Sequence, residues 1–215
     1  MIHLFLHQPI LPTSSFDQLL KLLPVNIQNR ILRKKQQKKR VISLLGYVML
    51  HKVLTQRFAL NLDKLEYQSS GKPILNLPNQ KLSFNISHHQ HLVGLVLGEA
   101  DALGLDIEAF RKFEKVESSF SFFSPVEQNA IIEAHDSDWK LIELWSKKEA
   151  LVKAVGGRMF DMAAYTDVRF ATTTWEGKTY YFTRIEYPFE GFIWVASSLI
   201  DCNISVKNIG NLSEF

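Results

Sequence analysis

Cysteine is nearly missing from this 215-residue chain, where Cys202 stands alone. One thiol excludes an intrachain disulfide and a zinc site built from several cysteines. It fits a reducing cytoplasm, the expected compartment. No apolar run approaches the ~18 residues of a membrane-spanning helix, so no membrane partner is expected. The opening Met1-Ile-His-Leu-Phe-Leu-His7 lacks a basic leader and a clear small-residue cleavage site, and it reads as a first strand rather than a signal peptide. No low-complexity linker divides the chain, and no clean repeat runs through it. Acid is missing from residues 30–40, which hold Arg30, Arg33, Lys34, Lys35, Lys38, Lys39 and Arg40. Without these seven the net charge of +3 becomes −4, so the basic character is local. A local patch implies an anionic partner or a solvated helix face. Aromatic residues are absent from it, which argues against base stacking and a nucleic-acid partner.

What is present is a globular composition, with 46% hydrophobic residues, 15 Phe and 4 Trp. Strand pattern covers residues 2–7. Helical spacing covers 16–23, follows Pro24 from about Ile27, and is strongest over 41–58. Pro12-Thr-Ser-Ser supplies capping residues ahead of the first helix. Ser69-Ser-Gly-Lys-Pro73 reads as a turn. Strands are then expected over 82–87, 92–97 and 102–108, with Gly98-Glu-Ala-Asp101 as a hairpin link between the last two. Helices over 116–122, 125–134 and 138–155 follow, with Pro125 at a first helical position. Strands near 167–170, 179–186 and 192–199 complete the pattern. Helices before strands, twice, predict an α+β fold of two similar halves, residues 1–102 and 103–215.

Trp145-Ser-Lys-Lys-Glu-Ala-Leu-Val-Lys153 repeats every fourth residue. Trp145, Glu149 and Lys153 therefore share one helix face. Alone, Glu149 and Lys153 would be an ordinary surface pair. Gly104-Leu-Asp-Ile-Glu108 adds two acids on one strand face, about 7 Å apart, with Ile107 turned the other way. Like charges aimed at one spot need a cation, and a hard divalent ion such as Mg²⁺ suits them. Asp106, Glu108 and Glu149 are thus candidate metal ligands, with Lys148 and Lys153 supplying charge for a phosphorylated substrate. His88, His89 and His91 lack the helical spacing of a zinc pair, so a phosphate-binding role for His88 beside Ser87 is preferred. Asn85 reads as a cap.

Gly71-Lys-Pro73, Asn85-Ile-Ser-His88, Gly104-Leu-Asp-Ile-Glu108, Phe123-Ser-Pro-Val-Glu127 and Trp145–Lys153 occur in one order over residues 10–200. In that set the chain resembles the 4′-phosphopantetheinyl transferases of the Sfp type. The resemblance implies two halves around a pseudo-two-fold axis, with the site at their interface. It implies transfer of phosphopantetheine from coenzyme A to a serine of an apo acyl or peptidyl carrier protein, releasing adenosine 3′,5′-bisphosphate. It implies Mg²⁺, with Mn²⁺ as an alternative, on Asp106, Glu108 and Glu149. Lys148 and Lys153 are implied as phosphate contacts, Ser87 and His88 as neighbours of the coenzyme A phosphates, and Gly71, Lys72 and Pro73 as neighbours of the adenine. Glu127 is implied as the general base or its neighbour, with Glu149 and Lys153 also catalytic. Ile42-Ser43 stand where many members carry an arginine, which leaves Arg40 as the nearest cation. Gly156-Gly157-Arg158 replaces the family's Gly-x-Gly. A cytoplasmic monomer is expected. Two rival readings share parts of the pattern: another Mg²⁺-dependent phosphoryl-transfer or hydrolytic enzyme, and a nucleic-acid-binding module built on residues 30–40.

Overall fold

Residues 1–8, 15–68, 71–77, 82–90, 92–200 and 203–210 are described by the structure, a computed structural model. Pro12–Ser14 of the first cap, Ser69 and Ser70 of the turn, His91 and Cys202 lie outside the described residues. In chain order the first half runs β1 (Ile2–His7), α1 (Phe16–Leu20), α2 (Val25–Leu32), α3 (Gln37–Phe58), β2 (Leu65–Tyr67), β3 (Pro73–Leu75), β4 (Ser83–His89) and β5 (Leu92–Gly98). The second runs β6 (Leu103–Ala109), a 3₁₀ segment (Val116–Phe122), α4 (Pro125–Ile132), α5 (Ser137–Val155), α6 (Met159–Met162), β7 (Thr172–Trp175), β8 (Lys178–Arg184), β9 (Gly191–Ser197) and β10 (Ile204–Ile209).

One sheet has the order β10-β1-β5-β4 and the other β6-β9-β8-β7. Every residue of β5 is buried because both its faces are covered. Phe5, Leu95 and Leu97 pack with Ile27, Ile31 and the apolar face of α3. Ile2, Leu4, Leu6 and Val96 point the other way, onto Leu103, Leu105, Ile107, Ile193 and Val195 of the second sheet. The second sheet's far face meets α5 through Leu141, Leu144, Ala150 and Ala154, packed with Phe182 and Trp194. The mixed α+β class follows from these layers. No helix among the described residues is long and apolar enough to cross a membrane.

Four features differ from the sequence reading. The link 98–101 is not a hairpin, because β5 and β6 belong to different sheets and the chain steps from one to the other there. Residues 116–122 coil as 3₁₀ rather than α-helix. Residues 167–170 form no strand. Asp167 Oδ1 accepts from the Arg169 backbone N–H at 3.0 Å, and its carboxylate also holds the Arg169 guanidinium, which turns the chain before β7 begins. Finally, β10 pairs in parallel with β1, so residues 204–209 of the second half hydrogen-bond into the first half's sheet. The buried His7 ring ties that seam through Nδ1 to the Ile209 carbonyl at 2.7 Å.

Candidate active site

Asp106 and Glu108 share the β6 face that looks at α5, as period two requires, while Leu105 and Ile107 sit in the inter-sheet core. Gly104 makes the close approach of α5 achievable. A Cβ there would lie 2.0 Å from the Ala150 carbonyl oxygen and 2.5 Å from the Ala154 nitrogen. With nothing but hydrogen at that point, α5 lies directly on the strand and its polar side chains reach Asp106. The helix is held at both ends: Asp136 accepts from the Trp139 N–H, and Gly156 closes it at φ 76°.

Asp106 is buried. Its Oδ1 lies 2.6 Å from Lys153 Nζ, and its Oδ2 accepts from Ser146 Oγ at 2.8 Å. Ser87 Oγ, from β4 of the first half, lies 3.4 Å from Asp106 Oδ1 and 3.2 Å from Lys153 Nζ. Asn85 fixes β4 against β6 by accepting from the Leu105 N–H at 3.1 Å. The two halves therefore meet at a carboxylate, an ammonium and a hydroxyl. Lys153 also approaches Glu149 Oε2 at 4.0 Å. Burial raises the Glu149 pKa above the ordinary value. Lys153 opposes that shift, and the charges of Asp106 and Glu108 add to it. Glu108 is engaged by Arg111 at 2.8 Å and by His89 Nδ1 at 3.3 Å.

Among the described residues no group of three His, Cys, Asp or Glu side chains is arranged to hold a metal ion. Protein cations sit on the acids instead, Lys153 on Asp106 and Arg111 on Glu108. Asp106, Glu108 and Glu149 supply carboxylate oxygens, the donor type a hard divalent cation takes.

His88 follows Ser87 at the exposed end of β4. Partial desolvation, then the positive charges of Lys153, His89 and Lys34, lower its pKa below the ordinary value. Lys34, from the basic run of 30–40, is near enough for its charge to act on His88. Two others are engaged within the protein. Arg30 stacks over the Tyr67 ring at 4.1 Å, and Arg40 donates through Nε to the Lys34 carbonyl at 2.7 Å, bracing the turn between α2 and α3. Lys72 donates to the Ala154 carbonyl, next to Lys153, and burial lowers its pKa to about 8. With Pro73 it lines a cleft of about 370 Å³ at the seam of the halves, closed opposite by Trp175 and Lys178. Gly71 occupies the left-handed region at φ 85°, just before Lys72.

Glu127 and Lys148 pair with one another. Glu127 is 0% exposed and Lys148 1%, with Lys148 Nζ 2.9 Å from Glu127 Oε2. Lys148 also donates to the carbonyls of Ala163 and Thr166. Glu127 completes a capping box with Ser124 at the start of α4 and accepts from the Val168 N–H at 3.0 Å. Both carboxylate oxygens of Glu127 and the Lys148 ammonium are engaged inside the protein. Burial lowers the Lys148 pKa, and Glu127 opposes the shift. Sequence reasoning also missed Ser146. It sits three residues before Glu149 and seven before Lys153, a spacing that would have placed it near their face.

Residues 10–99 match the family described as 4′-phosphopantetheinyl transferase, N-terminal, and residues 102–202 match the 4′-phosphopantetheinyl transferase superfamily. The chain belongs to the 4′-phosphopantetheinyl transferase superfamily. Similar proteins include the 4′-phosphopantetheinyl transferase HetI of Nostoc sp., 35% identical over 98 residues, which are 43% of this chain and 41% of that protein. The 4′-phosphopantetheinyl transferase AcpT of Salmonella typhimurium is 28% identical over 116 residues, 53% of this chain and 60% of AcpT. AcpT of Escherichia coli is 28% identical over 109 residues, 48% of this chain and 54% of that protein. The chain thus spans about half the length of the curated relatives it matches.

Proposed function

We propose that this member of the superfamily, of the Sfp type, transfers 4′-phosphopantetheine from coenzyme A to a serine of an apo carrier protein. The observation that carries the reading is the contact of Asp106, Lys153 and Ser87 across the two halves. We read the halves as related by a pseudo-two-fold axis, since each offers a long helix, α3 or α5, followed by antiparallel strands.

The serine hydroxyl forms the new P–O bond, the bond to adenosine 3′,5′-bisphosphate breaks, and the serine proton leaves. Glu149, 4.0 Å from Lys153, takes that proton in this reading. Lys153 places its ammonium where charge grows on the leaving phosphate. Lys34 and His88 face the 3′-phosphate, with Gly71, Lys72 and Pro73 toward the adenine. Asp106, Glu108 and Glu149 would hold Mg²⁺, or Mn²⁺ in its place. When bound, that ion supplies Lewis-acid neutralisation of the pyrophosphate oxygens. We assign the protein to the cytoplasm as a monomer.

The test is intact-mass measurement of an apo carrier protein after incubation with the chain, coenzyme A and Mg²⁺. A gain equal to one phosphopantetheine is expected, lost with a chelator and restored by Mg²⁺ or Mn²⁺. An unmodified carrier across acyl and peptidyl types overturns the reading.

A further inference from the structure

From Gln18 to Leu62 the chain runs through its first helical layer without an acid. The same span holds Lys21, Arg30, Arg33, Lys34, Lys35, Lys38, Lys39, Arg40, Lys52 and Arg57. Without these ten the net charge of +3 becomes −7, so the layer over the outer face of the first sheet is of one sign. The chemistry above draws on little of it. Lys34 acts on His88, and Arg30 and Arg40 are held by the Tyr67 ring and the Lys34 carbonyl.

Apolar side chains stand among these charges. Ile27 and Ile31 turn one face of α2 inward and are fully buried. The opposite face carries Val25, 69% exposed, and Leu32, 41% exposed. They are two turns apart and so point the same way. Leu22, 45% exposed, stands just before the helix. Every residue from Leu32 to Lys39 is exposed, so Arg33, Lys34, Lys35, Lys38 and Lys39 follow directly on the apolar pair. The bond from Arg40 to the Lys34 carbonyl braces that turn and fixes the display.

Charge alone fits any polyanion, and the neighbouring side chains choose among them. A nucleic acid calls for stacking rings, but Tyr47 and Phe58 of this span pack into the core. Protein interfaces are centred on aromatic and arginine anchors and are poor in lysine. Here four of the five cations of the exposed run are lysine, and the apolar residues are aliphatic. An anionic bilayer takes both parts. Its headgroups attract the cations, and its acyl boundary receives Leu22, Val25 and Leu32. Such a contact lies on the membrane and needs no spanning helix.

We propose that this face, Leu22, Val25 and Leu32 with Lys35, Lys38 and Lys39, binds the surface of an anionic lipid bilayer. The proposal stands apart from the transferase reading, because binding to vesicles needs neither coenzyme A nor a carrier protein. The full chain is floated with vesicles of phosphatidylcholine alone and with added phosphatidylglycerol, and its affinity is measured at low and high salt. Binding to the anionic vesicles only is expected, weakening as salt rises. Each cation lost should weaken it about fivefold, so Lys38→Gln with Lys39→Gln should weaken it about 25-fold. Lys38→Arg with Lys39→Arg should bind as wild type. Val25→Ser should bind more weakly by a similar factor at both salt concentrations, since it removes apolar contact and no charge. All three positions are exposed, so Tm should stay as in wild type. Wild type that fails to float, or floats equally with neutral vesicles, overturns the proposal. So does tighter binding to a duplex oligonucleotide than to anionic vesicles, which would give the face to nucleic acid. Loss of coenzyme A affinity in Lys38→Gln with Lys39→Gln would give it to the nucleotide. Full binding by Val25→Ser would leave a coulombic surface with no lipid contact, and that too overturns the assignment.

Discussion

Lys153 Nζ lies 2.6 Å from Asp106 Oδ1, and Ser87 of the other half touches both. This one contact joins helix, strand and seam, and it puts a cation beside an acid that is nearly solvent-free. Removing the ammonium leaves Asp106 with Ser146 and Ser87 alone. Lys153→Ala is expected to lower kcat for transfer by about 10²–10³, as loss of a charge stabiliser does. Asp106→Asn keeps the shape and the Ser146 hydrogen bond but removes the charge, and it should fall by a similar factor. Turnover within a few fold of wild type in either folded variant would refute the assignment.

The Glu127–Lys148 pair invites a different expectation, because both side chains are buried. Glu127→Gln leaves the Lys148 ammonium buried without its counter-charge. Breaking a buried pair from one side typically costs about 3–5 kcal/mol. Urea denaturation should show a loss of that order, and Glu127→Leu with Lys148→Met together should cost less than either single change. A base at Glu127 predicts the reverse pattern: full stability in Glu127→Gln with transfer abolished.

Much of this was legible in the chain, for identifiable reasons. Asp106 and Glu108 were readable because a strand's period of two admits no other placement, and Glu149 and Lys153 because a helix stacks every fourth residue. The surroundings of Lys148 were not legible, because the carbonyls it donates to belong to Ala163 and Thr166, 15 and 18 residues further along. The parallel strand β10 was missed because its pairing with β1 spans almost the whole chain, and no local pattern reports a partner so distant. Asp167 was missed for another reason: its own side chain diverts a β-rich segment into a turn by binding Arg169 two residues on.

Gly104 sets how close α5 lies to β6, so it should be the most sensitive glycine in the protein. A methyl group there meets the Ala150 carbonyl at 2.0 Å, which is backbone and cannot swing aside. Overpacking of this kind typically costs about 1–3 kcal/mol. Gly104→Ala is expected to lower Tm and also to lose transfer, since lifting the helix parts Ser146 and Lys153 from Asp106. Gly210, around which a Cβ would meet nothing within 4 Å, is the control. Should Gly104→Ala and Gly210→Ala melt and turn over alike, the close approach has been misjudged.

Lys72 is expected to carry the pH dependence of nucleotide binding. Burial lowers its pKa to about 8, so the free protein loses that positive charge within an accessible range. A bound anion favours the protonated form and raises the pKa in the complex. Affinity is therefore full below pH 8 and falls as pH rises through it, until the higher pKa of the complex is reached. Between pH 7 and pH 9 the charged fraction of a group titrating near 8 drops about tenfold, and Kd should rise by nearly that factor. Adenosine 3′,5′-bisphosphate is the suitable probe, because its phosphates have a second pKa of about 6 and stay ionised throughout. Lys72→Arg, which remains charged, should bind with a flat profile over this range. Lys72→Met should also be flat, but weaker at pH 7. Calorimetric titrations at pH 7, 8 and 9 decide the matter: if Lys72→Met keeps the wild-type slope, another group titrates there and Lys72 does not face the nucleotide.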